Sequence, residues 1–526
     1  MKSKLWAALA GLVLLALFAA APARAEWRRA ESPNFIVFSE AEEAALRGQV
    51  AQLEDFDQLL RALTGTTRAP APANKLNIYM VRGTPQLRIV MPGASRAVGG
   101  FYSARPTGTA AFVDATASVG SNPGDPNSGL QVLFHEYAHH FMLQYFPTVY
   151  PTWYVEGFAE FMMYTRIDGP VIEYGGIGTG RAIWLTQTEW LDFDRMMFQA
   201  DRLRMGEDVA KFYAQSWLTV HYLFRDPERR AALGRYLTAF ARGETSPAAF
   251  QAAFGMRPGH LQAAVQRYAG SGQIPVTRIT RTSASRPPAI TITRLGALDD
   301  LLLLQAGLRI GVRESQRAAF LARVRREAAR QPSDPFAQRV LAHAEAVHGD
   351  GAAAERLLTP LLAQAPNDAE LLYLRGMRHL VAARAGDAEQ ARQAASWFAR
   401  AHRADRNHFP TLYAYAQARR GTPDYLSENN ANILLLAHQL APQVAPIRLE
   451  AAALLMNRDQ FSEAEALLLP LTAEPHARRI ATSARELLAK ARARERAGDV
   501  RFEDIERGED DEGKWLSRST PRCSRC

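Results

Sequence analysis

The spacing of apolar positions changes along the 526 residues of the chain, and each change marks a different kind of structure. Leu5 to Ala21 is an almost unbroken apolar run behind Lys2 and Lys4, closed by Ala23-Arg24-Ala25, the small-x-small pattern of a secretory cleavage site. Residues 26–275 begin with short runs rich in β-branched and aromatic residues, NFIVFS and KLNIYMV, which read as strands. Longer segments with helical spacing follow: VLFHEYAHHFM, YVEGFAEFMMY and KFYAQSWLTVHYLF. Strands gathered before helices predict an α+β domain. TRITRTSASRPPAITITRL, rich in Pro, Ser and Thr, reads as a linker over 276–297 with room for one short strand. From 298 to 498 the pattern is helical throughout, and over 499–526, around ERGEDDEG, it loses any apolar face and predicts a disordered charged tail.

The helical half carries a period. Pro332 in QPSDPFAQ and Pro366 in APNDAELL stand thirty-four residues apart, and Ala354 and Leu358 supply the small and large positions that paired helices need. ASWFARAHRADRN fits the period after an insertion near Arg384 to Ala391, and SEAEALLLPLTAEPH is a later, looser copy. Over roughly Ser315 to Gly498 the chain therefore resembles tetratricopeptide repeats, the alternative being a nonrepetitive helical bundle. Stacked helix pairs present a concave surface to an extended peptide or a protein partner, so the second half is expected to be a binding module. Removing everything after Leu295 is then expected to weaken action on a natural target and to spare a small peptide.

Charge adds exclusions. The formal charge of +9 falls to +6 once Lys2, Lys4 and Arg24 leave with the leader, and the excess is spread as Arg interleaved with Asp and Glu. Such spacing describes solvated helix faces, compatible with weak attraction to an anionic surface and without the aromatic and basic clustering of a nucleic-acid binder. No later segment offers eighteen uninterrupted apolar residues, so no membrane span is expected after signal cleavage, and no cysteine lies near the cut to carry a lipid. A leader retained as an anchor is the alternative to a periplasmic or secreted protein. Cys523 and Cys526 form a C-x-x-C in the polar tail, with no strand and helix around them to make a redox motif; a local disulfide or no role is expected.

Candidate chemistry lies in HEYAH, His135 to His139, followed by WYVEGFAE from Trp153. Residues four apart share a helix face, so His135 and His139 can offer two ring nitrogens to one metal ion with Glu136 beside it. A catalytic zinc site needs a third protein ligand and an open position for water, and Glu156, on a second helix after a turn at Pro147 to Pro151, can supply that ligand. Glu160, one turn further on, faces the same way and can orient a ligating imidazole through its other nitrogen. His140 points about 100° away from His139 around the helix. Tyr213, Trp217 and His221 recur every four residues, which fits one face packed on the core, with His221 a packing residue.

HEYAHHF followed by WYVEGFAEF resembles the gluzincin clan of metallopeptidases, and within it the peptidase-MA-like bacterial proteins, whose pattern is HExxH followed by a WLNEG-type segment. The resemblance implies one zinc ion on His135, His139 and Glu156, water activation by Glu136, and a zincin-like fold ahead of the repeats. Tyr213 stands in a place similar to the tyrosine that, in the aminopeptidase branch, hydrogen-bonds the tetrahedral intermediate. Val155 departs from the Asn common in related aminopeptidases, and their Gly-Ala-Met-Glu-Asn segment is absent from VGGFYSARPTGTAAFVDA, which leaves aminopeptidase specificity unsupported. The sequence thus leads to an exported zinc endopeptidase acting on protein or peptide substrates, its repeats open to a protein partner. The alternative is a repeat scaffold whose protease-like half is inactive, and hydrolysis of non-peptide amides stands beside the first.

Overall fold

The structure is a computed structural model describing residues 26–500 and 502, apart from 68–71, 95–97, 117–127, 205, 282–287, 297, 299, 385 and 474–477. The expected leader and the Cys523/Cys526 pair lie outside the described residues. Among those described, no helix is long and apolar enough to cross a membrane.

A six-stranded sheet organises the first half. Strands β1 (Trp27–Glu31), β2 (Phe35–Ser39), β3 (Leu76–Val81), β4 (Gly100–Arg105) and β5 (Gly108–Asp114) take the order β4-β5-β3-β2-β1, with β2, β3 and β5 parallel and β4 antiparallel at the edge. Alternation along the strands assigns the two faces, because successive side chains point opposite ways. Phe35, Val37, Ile78, Met80, Ala111 and Val113 enter one core; Phe38, Tyr79, Val81, Ala110 and Phe112 enter the other.

On the first face lie helices α1 (Glu43–Thr64) and α3 (Ser128–Tyr145), α2 (Gly83–Val90) having passed to the other side. Helix α4 (Thr152–Met163) packs on α3, and a small sheet of β6 (Arg166–Asp168) and β7 (Val171–Tyr174) follows. Helices α5 (Thr179–Thr186), α6 (Phe193–Phe198), α7 (Glu207–Phe224), α8 (Pro227–Ala241), α9 (Pro247–Phe254) and α10 (Pro258–Gly270) complete this layer, α7 lying along α4.

The segment expected as a linker, 276–297, is built into both sheets. Strand β8 (Thr277–Thr280) pairs with β7, and β9 (Thr291–Gly296) pairs with β1 and closes the edge of the large sheet. Its alternating Thr and Ile residues are strand formers that find partners more than a hundred residues away in sequence, which local composition does not reveal.

Beyond β9 the chain covers the second face of the sheet. Phe38, Tyr79, Phe112 and Phe101 form a ladder of stacked rings 4.8–4.9 Å apart, and α11 (Leu301–Ile310), α12 (Arg317–Ala328) and α13 (Pro335–His348) share one apolar core with it. One of the cores is therefore shared by the two halves. Taking away everything after Leu295 would strip this cover from the second face of the sheet, so a truncation there bears on the fold of the first half as well as on the repeats.

From α13 onward the helices come in pairs. Helices α13 and α15 (Ala369–Ala383) are capped alike: Asp334 and Asp368, thirty-four residues apart, each accept a hydrogen bond from the backbone three residues on, Ala337 at 2.9 Å and Leu371 at 3.0 Å. Asp350 and Asp387 cap the partner helices α14 (Gly351–Gln364) and α16 (Ala388–Ala404). Helices α17 (Phe409–Gln417), α18 (Glu428–Leu440), α19 (Ala445–Asn457), α20 (Phe461–Leu468) and α21 (Arg478–Arg492) continue the stack. Small residues allow the close crossings. A Cβ on Gly376 would come within 2.5 Å of the Phe398 ring. At the end of the stack Phe502, assigned from sequence to the disordered tail, is buried beneath Arg420, whose guanidinium lies 4.9 Å from its ring centre.

Candidate metal centre

Helices α3 and α4 run against each other after the turn at 146–151, which brings His135, His139 and Glu156 together. His135 Nε2 and His139 Nε2 are 3.1 Å apart, and Glu156 Oε2 lies 3.6 Å from the first and 3.4 Å from the second. Four donors around zinc at ordinary bond lengths of about 2.0–2.1 Å sit about 3.3 Å from one another at the corners of a tetrahedron. Three corners of that size are in place. All three side chains are buried, and the donor set of two imidazoles and one carboxylate suits zinc and leaves a fourth position for water.

Electrostatics follow from burial. His135 is pushed down to about 4, chiefly because its cationic form would be stripped of water, so it is a neutral ring with a lone pair to give. Burial also works against a cationic His139, but Glu156 alongside outweighs it and leaves this histidine raised. Glu136 is pushed up to about 7, burial being the main cause and the Glu156 charge adding to it, while His139 and the Tyr102 backbone hydrogen bond pull the other way. Its Oε1 is buried with no hydrogen-bond partner among the described residues. A buried carboxylate oxygen left over beside a metal-sized triangle fits a site that takes a water or an ion.

Beneath His135, Glu160 Oε1 stands 3.6 Å from Nδ1, on the side the sequence predicts but beyond hydrogen-bond reach. Its hydrogen bonds come from Arg181 on α5, Nε at 2.8 Å and Nη2 at 2.7 Å, in a bidentate pair with Glu160 fully buried. The same guanidinium lies 5.1 Å from the ring centre of Tyr213. Arg181 is a residue that the sequence reading missed: it follows Glu160 by twenty-one positions in GTGRAIW, with no periodicity tying it to the motif.

Tyr213, on α7, places its ring 6.3 Å from that of His135 and lines the same cavity, and burial drives its hydroxyl well above the usual range. Its partners in the four-residue series face elsewhere. His221 contacts the Pro275 carbonyl at 3.2 Å and the Tyr268 hydroxyl at 3.0 Å, a packing role as expected, and Trp217 is buried in the core. His140 turns from the triangle to the Tyr102 hydroxyl at 3.0 Å and is held down to about 3 by burial.

Gly157 explains the glycine of WYVEGFAE. A Cβ there would lie 2.5 Å from the Ser216 carbonyl oxygen on α7, backbone that cannot swing aside. Its absence lets α4 and α7 cross closely, and so sets Glu156 and Glu160 opposite Tyr213.

The triangle opens onto a cavity of about 800 Å³. Glu136, His139 and Glu156 lie at its floor, and residues Phe101 to Arg105 of β4 line it. β4 is an edge strand of the sheet, and its Tyr102 backbone already donates to Glu136.

Compared with known proteins, the chain matches no protein-family model and no curated sequence. Among solved structures, a thermophilic TPR protein of Thermus thermophilus is similar over 37% of this chain and 100% of that one, with 20% identity and a TM-score of 0.31.

Proposed function

We propose that this chain is an exported, zinc-dependent metallopeptidase of gluzincin type that hydrolyses peptide bonds within protein or peptide substrates, its helical repeats serving to bind protein. The observation that carries the reading is the triangle of His135, His139 and Glu156 donors at tetrahedral zinc spacing, with the unpartnered Glu136 oxygen beside it. Zinc, when bound, supplies Lewis-acid polarisation of the scissile carbonyl and a water made acidic enough to lose its proton near neutrality.

The remaining chemistry belongs to this chain. Glu136, its proton affinity raised toward neutrality by burial, takes the proton of the attacking water and hands it to the leaving amine. Tyr213, kept protonated by its surroundings, donates to the oxygen on which charge develops. Arg181 fixes the Glu160 carboxylate under His135, which favours the tautomer with its lone pair on Nε2. Edge strand β4 offers main-chain hydrogen bonds to an extended substrate, the usual way a free sheet edge takes a peptide. Export rests on the leader pattern of residues 1–25.

The test is hydrolysis of an unfolded protein substrate by the zinc-loaded mature chain and by its Glu136→Gln variant. Loss of about 10²–10⁴-fold in rate is expected from removing the base. Equal rates, or none from either protein with zinc bound, would leave the repeat scaffold with an inactive protease-like half as the function.

A further inference from the structure

The cavity above the triangle is not confined to the first half. Its far wall is made by the last helices of the repeats: Pro446 on α19, Leu469 to Thr472 after α20, and Thr482, Arg485 and Leu488 on α21. This wall is tied to the floor. Arg448 donates to the Pro147 carbonyl at 3.1 Å in the turn between the two motif helices, and Asn74 donates to the Asn407 and Leu440 carbonyls at 3.1 and 3.3 Å. Ala104 of β4 packs into the apolar cluster of Val444 and Ile447, and Leu469 packs against the cores of both halves.

Among the described residues, the charged side chains of this wall are arginines. Apart from the triangle and Glu136, the charged residues lining the cavity are Arg105, Arg485 and Arg492. Arg492 lies 3.5 Å from Glu465 and is partly balanced. Arg485 is held by two neutral groups, the Thr472 carbonyl at 2.9 Å and the Thr482 hydroxyl at 3.3 Å, with no carboxylate partner among the described residues. Its guanidinium is thus oriented without being neutralised, the state that suits a carboxylate arriving with the substrate.

We infer that the helical repeats form the second wall of the catalytic cleft and that Arg485 selects an extended peptide bearing an acidic side chain. The inference rests on the peptidase reading for the position of the scissile bond. A side chain is taken as the source of the anion because edge strand β4 runs beside the cavity, the setting in which an extended peptide passes through a cleft rather than ending in it. The repeats then discriminate inside the same cavity as the triangle, not on a tethered module.

The experiment uses the full mature chain carrying Glu136→Gln and a set of fluorescent, C-terminally amidated decapeptides that differ only in Glu, Gln or Lys at each position in turn. At least one position should show about tenfold tighter binding of Glu than of Lys at low salt, the difference shrinking as salt rises. Adding Arg485→Glu should invert the order at that position and Arg485→Ala should erase it, with zinc content unchanged. Equal binding, no binding, an order untouched by Arg485→Glu, or a preference that appears only in free-acid peptides would overturn the inference. Zinc content and cleavage by the wild-type chain report separately on the peptidase reading. Discrimination without zinc or cleavage sinks that reading alone, and zinc-dependent cleavage that ignores charge sinks this one alone.

Discussion

Two buried glutamates, one in each half, separate structure from chemistry in this molecule. Glu450 on α19 is wholly buried and fully engaged: Gln417 and Arg420 donate to it, and the Tyr425 hydroxyl lies at 2.6 Å. Glu136 is buried too, yet one of its oxygens has no partner among the described residues, and the charges acting on it are Glu156 and His139. A carboxylate buried for stability is surrounded by donors. One buried beside an imidazole with an oxygen to spare suits the proton-accepting role proposed for Glu136. Burial alone does not mark a site; unsatisfied burial next to ligand geometry does.

The largest effect should come from cutting the chain between the halves. A protein ending at Leu295 would expose the ladder of Phe38, Tyr79, Phe112 and Phe101 that α11 to α13 cover. We expect it to be insoluble or unfolded by circular dichroism. A soluble, cooperatively melting fragment would show that the halves are independent and would break the shared-core account.

Substituting the two glutamates sharpens the comparison. Glu450→Ala should cost about 3 kcal/mol, because Arg420 and Tyr425 lose a buried partner, and should leave zinc binding unchanged. Glu136→Gln should leave the melting temperature unchanged or raise it, since the charged form of a carboxylate is then no longer buried short of partners. A large loss of stability in Glu136→Gln would make it a structural residue like Glu450.

Acid provides a smaller test, common to both halves. His140 in the first half and His343 in the second are buried and held down to about 3, so the folded chain refuses protons that an unfolded histidine accepts near 6.5. Stability is fully present above pH 6.5 and is lost as pH falls toward 3. Between pH 7 and pH 5 each should cost about 2 kcal/mol, read as a falling melting temperature of the metal-free protein. His343→Leu should flatten part of that slope; an unchanged slope would show that His343 takes up protons in the folded state.

Much of this arrangement was legible in the sequence. The two motif helices, the shared face of His135 and His139, the turn of His140 away from them and the packing role of His221 follow from helical spacing, which fixes neighbours three and four residues apart. The thirty-four-residue period was legible for the same reason, and it reappears in the matching caps at Asp334 and Asp368. What was hidden depends on distant pairing. Strand β9 pairs with β1 about 260 residues earlier in sequence, so TITRLG read as linker with room for one short strand. Arg181 reaches Glu160 from a separate helix, and Arg485 reaches the cleft from the far end of the chain. No periodicity joins such residues, whose proximity is a property of the closed fold.

The central claim is that the His135, His139 and Glu156 triangle holds zinc, and the measurement is the metal content of purified residues 26–526 after zinc loading and dialysis, beside the His139→Ala variant. About one zinc per chain in the wild type, little in His139→Ala, and unchanged circular dichroism in both are the predicted result. A folded wild-type chain that retains no zinc, or a His139→Ala chain that retains as much, would contradict it.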